Sequence, residues 1–238
     1  MKIDYVPANN YKIYQDENAF KYTTDSLILS SFARAKGKCL DLGCGTGIIS
    51  LRLIDKVKSF TNIDINKRAI ELINQSVQAN NLEDKIKNYL LDVEGARDFF
   101  EKHSFDCVFM NPPYYNNGLR SIKESDDLAR YGVDALDIFI NTGADLLKDL
   151  GRIYIVVPAT RMIDVFELLI NKKIEVKRLR FIKTRKDDRV KLVLIEGVKF
   201  AKRGYFFEKD FLLYEGDEIS KDLREVYEKI WYIFVQLQ

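Results

Sequence analysis

From Lys38 onward, short apolar runs alternate with segments whose apolar residues recur at helical spacing, and no other feature narrows the fold so far. A parallel strand covered on both faces reads as a nearly continuous apolar run, and its neighbour is reached only through a crossover, usually a helix. Runs at 38–42, 60–64, 86–91, 105–110 and 151–157 have the length of such strands, and a polar residue, a glycine or a proline closes each. Between them, 66–80 places Ile70, Ile73 and Val77 on one face, and 133–149 does the same with Leu136, Ile140, Ala144 and Leu147. The expected fold is an α/β sandwich, a mostly parallel sheet with helices on both faces.

Past Pro158, a helix over 161–171 leads into two β-rich runs, 174–183 and 190–198, joined by Thr184-Arg185-Lys186-Asp187-Asp188-Arg189. They read as a C-terminal antiparallel hairpin with a charged tip. Residues 1–35 read as an added segment that packs on a core domain of residues 36–238 through Phe20, Tyr22, Leu27, Ile28, Leu29 and Phe32. Thr23-Thr24-Asp25 supplies the N-cap of a helix in that segment.

Asp41-Leu42-Gly43-Cys44-Gly45-Thr46-Gly47 follows the first core strand and opens a helix, so the backbone there can turn sharply and approach a ligand. A dinucleotide fingerprint, G-x-G-x-x-G, seats a pyrophosphate at this place. Here the third glycine comes one residue early and a carboxylate precedes the loop. That carboxylate is a poor neighbour for a pyrophosphate and a good acceptor for an ammonium group. S-adenosylmethionine carries an ammonium beside a sulfonium. Asp64, at the end of the second strand, suits the two ribose hydroxyls, with Ile65 beside it; Asp92 suits the adenine amino group, and Val93 offers its backbone N–H to the ring. Ligands of open α/β sheets bind beyond the carboxyl ends of the strands, where Asp41, Asp64, Asp92 and Asn111 fall in order. A bland reading stands beside this one, in which each acid caps the next helix.

Asn111-Pro112-Pro113-Tyr114 closes the fourth strand. Two prolines fix φ at their own positions and bias their predecessors away from the helix, so the Asn111 side-chain oxygen and the Pro112 carbonyl are held as rigid acceptors. Two acceptors match an NH₂ group. An amine conjugated to a ring, or an amide nitrogen, is a poor nucleophile, and bonds to both its N–H groups stabilise the charge that grows as it is alkylated. Tyr114 would stack on a planar substrate. Asn111, Pro112 and Tyr114 are the expected catalytic residues.

Composition removes other chemistries. His103 is the only histidine and sits in a polar turn before a strand, which disfavours Ser-His-Asp, Cys-His and histidine–metal sites; no metal is expected. Cys39, Cys44 and Cys107 form no CxxC pair and lie in apolar runs, as buried reduced thiols do. No run reaches the roughly 18 apolar residues of a membrane helix, and the start lacks a cleavable leader, so a cytoplasmic protein, preferably a monomer, is expected. The net charge is +2, yet residues 172–191 carry ten Lys or Arg against three acids.

On these residues the chain resembles the small-domain methyltransferases, and most closely the tRNA1(Val) adenine N6-methyltransferase family. The likeness rests on Phe20-Lys21-Tyr22-Thr23-Thr24-Asp25-Ser26-Leu27-Ile28-Leu29, on the Asp41 to Gly47 loop, on Asn111 to Tyr115, on Ala129-Arg130-Tyr131, and on Leu213-Tyr214-Glu215-Gly216-Asp217-Glu218-Ile219-Ser220 near the end. It implies a Rossmann-like class I methyltransferase fold and S-adenosylmethionine held by Tyr22 and Thr24 as well as by Asp41, Gly43, Cys44, Gly45, Gly47, Asp64, Ile65, Asp92, Val93 and Asn111. The substrate it implies is a tRNA adenine beside the anticodon, bordered by Tyr115, Asn116, Asn117, Gly118 and Arg130. Arg185, Lys186 and Arg189, with Lys177, Arg178, Arg180, Lys183 and Lys191 nearby, are candidates for phosphate contacts. A glutamine amide in a protein satisfies the same two acceptors and is the rival substrate. A non-catalytic RNA-binding module would keep the fold without these polar strand ends, and an NAD-linked oxidoreductase would have the other glycine spacing.

Overall fold

A computed structural model of the chain describes residues 2–16, 21–113 and 135–228. It opens on an antiparallel hairpin, β1 (Lys2–Tyr5) and β2 (Lys12–Gln15), followed by helix α1 (Thr24–Phe32). The hairpin has no counterpart in the sequence reading. It is docked on the helix α3 (Lys67–Ala79): Tyr14 N–H donates to Ser76 Oγ at 2.9 Å, and the Asn80 side chain accepts from Lys12 N–H at 2.9 Å and donates to its carbonyl at 2.7 Å. Helix α1 starts where the capping signal falls, with Thr23 accepting from Ser26 N–H. Its Leu27, Ile28, Leu29 and Phe32 are buried, each worth about 1.5–3 kcal/mol of apolar burial. Tyr22 packs against the same core, and Phe20 lies outside the described residues.

Five parallel strands form the body of the sheet: β3 (Lys38–Leu42), β4 (Ser59–Asp64), β5 (Ile86–Leu90), β6 (Phe105–Met110) and β7 (Leu147–Pro158). Their spatial order is β5-β4-β3-β6-β7, so the chain runs outward from β3 in one direction and resumes at β6 on its other side. The crevice at that reversal is where open α/β sheets hold ligands. The hairpin of β8 (Ile174–Lys183) and β9 (Val190–Lys199) joins the sheet with β9 inserted antiparallel between β7 and β8. Two short strands, β10 (Phe206–Phe207) and β11 (Phe211–Leu212), line the outer side of β8; β12 (Tyr214–Glu215), β13 (Glu218–Ile219) and a last helix, Lys221–Glu228, follow.

Two cores lie on the two faces. One gathers α1, α2 (Ile48–Leu53) and α3; the other gathers α4 (Ala96–Phe99), α5 (Ala135–Leu146) and α6 (Met162–Asn171). Alternation along β3 sends Leu40 and Leu42 to the second face and Cys39 to the first. Asp41 therefore points to the side of α1 and α2. The helix expected over 133–149 ends at Leu146, and β7 begins at Leu147 rather than Gly151. Leu147 is fully buried opposite Phe105, and the pairing then skips to Cys107 with Arg152, so one apolar residue fitted the helical period while serving the sheet. His103 is half-exposed in a turn just before β6, on the sheet edge away from Asn111, and all three cysteines are buried and free. Among the described residues no helix is long and apolar enough to cross a membrane.

Candidate functional site

The glycine loop is tied to the neighbouring strand end. Gly43 and Cys44 N–H both donate to the Ile63 carbonyl at 3.0 Å, and Gly45 N–H donates to Asp64 Oδ2 at 2.8 Å. The other oxygen of Asp64 accepts from Asn66 N–H at 2.8 Å. Thus Asp64 shapes the loop and caps the turn into α3 while each of its oxygens keeps a further lone pair for a hydroxyl. Burial, against these two hydrogen bonds, leaves its carboxyl raised above the usual range. Gly45 has a left-handed φ of +53°, and a Cβ there would meet nothing within 4 Å, so its open side is free for a ligand. At Gly47, with φ +77°, a Cβ would overlap Ile73, which lets α3 close on the loop.

Two cavities flank this loop, and Gly43 and Asn111 line both. The larger, about 310 Å³, is walled by Asp64, Ile65, Asp92, Val93, Pro113, Ala135, Ile138 and Phe139. Ile65 is a large apolar side chain left 66% exposed at a strand end, which is a shelf for a ring rather than a core contact. Asp92 is exposed and spends Oδ1 on Glu94 N–H at 2.9 Å, so the capping role also holds there. Ile138 and Phe139 belong to α5; the expected apolar face names Leu136, Ile140, Ala144 and Leu147 without them, and the packing of α5 over the crevice brings them in.

The smaller cavity, about 160 Å³, is bounded by Lys21, Tyr22, Thr23, Ser26, Asp41, Cys44, Gly45, Thr46, Ile48 and Ile49. Asp41 is 1% exposed, and among the described residues its Oδ2 has no hydrogen-bond partner. Burial first, and then the Asp64 carboxylate, push its carboxyl well above the usual carboxylate range. Thr46 Oγ1 on the same wall is also buried and, among the described residues, without a partner. Leaving two such groups unmet costs about 1–3 kcal/mol each, more for a charge. An amino-acid moiety, with its ammonium toward Asp41 and its carboxylate toward Thr46 and Lys21, would meet both. Cys44 Sγ lies 3.6 Å from the Gly45 carbonyl, and burial beside Asp41 and Asp64 keeps it a thiol.

Thr24 does not join this set. It lines a separate cavity with Asp25, Lys191 and Tyr214, and Thr23 and Ser26 occupy the place expected of it. The reason is helical phase: Thr23 and Ser26 are three residues apart and share a face, from which Thr24 is rotated by about 100°. Asn111 is partly buried at the end of β6 and donates through Nδ2 to Ser26 Oγ at 3.1 Å. Pro112 behind it is buried. Tyr114, Tyr115, Asn116, Asn117, Gly118 and Arg130 lie outside the described residues.

The basic run divides in two. Arg178 is buried, bonded to Glu196 at 2.7 Å, to Glu208 at 2.7 Å and to the Phe32 carbonyl, with its guanidinium stacked 3.9 Å over the Phe32 ring. It cannot contact a phosphate. Arg180 pairs with Asp222, Lys183 with Asp210, and Lys177 bonds the Lys202 carbonyl. Arg185, Lys186 and Arg189 at the tip are exposed; Arg185 is steadied by the Gly216 carbonyl at 3.1 Å. Register places that tip: Met110 lies across from Ile155 and Leu192 from Pro158, so residues 184–189 extend beyond the edge that carries Asn111. They stand two strands away from β6, about 10 Å laterally.

The family model described as methyltransferase small domain matches residues 13–179. The chain is 30% identical over 155 residues to the tRNA1(Val) (adenine(37)-N6)-methyltransferase of Mannheimia succiniciproducens, covering 62% of this chain and 63% of that protein. The protein of the same name from Haemophilus influenzae is 31% identical over 157 residues, covering 62% and 66%. In both, the chain spans just under two thirds of the relative's length. A predicted O-methyltransferase from Agrobacterium tumefaciens shares the fold, with a TM-score of 0.67 at 15% identity over 85% of this chain and 95% of that one.

Proposed function

We propose, from the premise that this chain belongs to the methyltransferase small domain family, that it methylates the exocyclic N6 of a tRNA adenine, using S-adenosylmethionine. The observation that carries the reading is the buried Asp41 carboxylate, unpartnered among the described residues and set beside a glycine loop whose far side is Asn111. A buried carboxylate is retained where a cation completes it. Asp41, Thr46 and Lys21 would hold the amino-acid end of the cofactor, and Asp64, Ile65, Asp92 and Val93 its nucleoside end. Bound there, S-adenosylmethionine supplies an electrophilic methyl group.

The chain's own part is to hold the amine. The Asn111 oxygen and the Pro112 carbonyl accept from its two N–H groups, which orients the nitrogen lone pair and stabilises positive charge on it. The proton lost afterward is acidic enough to pass to water, and His103, across the sheet, takes no part. The tip residues Arg185, Lys186 and Arg189 suit phosphates of the nucleotides around a base turned into the site. An anticodon-loop adenine is already unpaired, so extruding it costs little compared with a duplex base. The names of the two relatives point to the same substrate, and such a substrate would place the protein in the cytoplasm.

The test is incubation with labelled S-adenosylmethionine and four unmodified acceptors in parallel: total tRNA, ribosomal RNA, duplex DNA and a peptide-release factor. Nucleoside and peptide mass analysis should find N6-methyladenosine from tRNA alone. Methylglutamine in the release factor, with no label in tRNA, would overturn the substrate while keeping the amine chemistry.

A further inference from the structure

Pro112 limits the backbone of Asn111, but two side-chain torsions remain, and the amide must turn its oxygen rather than its NH₂ toward the amine. We infer that Ser26 is the positioning residue that holds the Asn111 amide in place through the 3.1 Å bond from Nδ2 to its hydroxyl. The inference rests on the reading of Asn111 as an acceptor for the reacting amine. With Nδ2 held at the hydroxyl, Oδ1 is the end directed away from it.

Ser26 is itself held. Its N–H donates to Thr23 Oγ1 at 3.3 Å, and that hydroxyl donates to Ser26 Oγ at 3.2 Å, so one Ser26 oxygen accepts from both Thr23 and Asn111. The turn that carries it is anchored by Leu27, Ile28 and Leu29, all 0–1% exposed. Ser26 also lines the cavity that contains Asp41 and Gly45, so the anchor stands where the two ligands of the proposed reaction would meet. A site group held by a packed element and a second hydrogen bond keeps the geometry that transfer demands, where misplacement by about 1 Å costs on the order of 10²-fold. Asn111, at the end of β6, and Ser26 of the N-terminal segment thereby form one unit, although 85 residues separate them in the chain.

The experiment compares Ser26→Ala, Ser26→Thr, Asn111→Ala and the Ser26→Ala/Asn111→Ala double variant in tRNA methylation. Ser26→Ala should lower kcat about 10- to 100-fold, with KM for tRNA and Kd for S-adenosylhomocysteine changed less than about twofold. Ser26→Thr, which restores the hydroxyl, should recover most of the rate. In the Asn111→Ala background, Ser26→Ala should add nothing, since the bond through which it acts is gone. A normal kcat for Ser26→Ala beside a slow Asn111→Ala would overturn the inference and leave the proposed function standing. If the wild type labels no tRNA, the proposed substrate has failed, and side-chain amide NMR decides the inference alone. The Asn111 NH₂ pair, identified by its loss in Asn111→Ala, should shift and exchange faster in Ser26→Ala; an unchanged pair would refute the positioning role.

Discussion

Two of the regions in which this protein buries charge treat it oppositely. On the β8–β9 hairpin, Glu196 and Arg178 are 2% and 7% exposed, and each is met: Glu196 by Arg178 and Arg152, Arg178 by Glu196, Glu208 and the Phe32 carbonyl. At the end of β3, Asp41 is as deeply buried, yet its Oδ2 has no partner among the described residues, and the charge that acts on it is another carboxylate, that of Asp64. The charge buried on the hairpin is completed within the chain. On the proposed function, the charge at the end of β3 is left for a ligand to complete. Substitutions should therefore separate the regions: the hairpin loses stability, and the strand ends lose function.

The largest effect should come from Glu196→Ala, which leaves buried Arg178 with only Glu208 and the Phe32 carbonyl, takes the carboxylate from Arg152, and should cost about 3–5 kcal/mol in chemical denaturation. A loss below about 1 kcal/mol would break the contrast. Asn111→Ala should lower turnover about 10²–10³-fold while the melting temperature stays near that of the wild type. A parallel fall in stability would make Asn111 part of the scaffold instead. A subtler effect is expected from pH. The folded Asp41 carboxyl binds its proton more tightly than the unfolded one, so its contribution to stability is present at low pH and lost as pH rises from the ordinary carboxylate range through the raised value. Saturating cofactor should flatten that loss, because a bound ammonium favours the ionised form; calorimetry in two buffers should then show a proton released on binding below the raised pKa. A stability profile indifferent to cofactor would count against the pairing. The smallest effects belong to Lys186→Ala and Arg189→Ala, each expected to weaken tRNA affinity severalfold at most and reduce the salt slope by about one. Arg178→Lys, by contrast, should act on stability and leave the slope alone.

Much of this was legible in the chain because its signals are local. Strand ends at 42, 64 and 110, the loop 43–47 and the pair Pro112-Pro113 each declare themselves within a few residues. What stayed hidden depends on distant partners. Nothing in the run 172–191 distinguishes Arg178 from Arg185; only Glu196, Glu208 and Phe32, brought together by the sheet, turn one inward. Thr24 was expected beside the glycine loop, whereas Thr23 and Ser26 line the cavity with Asp41, since one step along a helix turns a side chain through about 100°. The β1–β2 hairpin escaped because its strands are four residues each, β1 is largely exposed, and one of the two buried residues of β2 is the polar Gln15, leaving little apolar alternation to read. Phe139 entered the site from a helix whose buried stripe wraps most of its circumference, so that no one face marks it.

The central claim is that Asp41 is buried for a ligand and not for the fold. Titration of S-adenosylhomocysteine into wild type and Asp41→Asn, with denaturant unfolding of both in the absence of ligand, tests it directly. Asp41→Asn should bind at least about tenfold more weakly and unfold at the same or a slightly higher denaturant concentration, because a costly buried charge has been removed. Unchanged affinity, or a clear loss of stability in the free protein, would contradict the account.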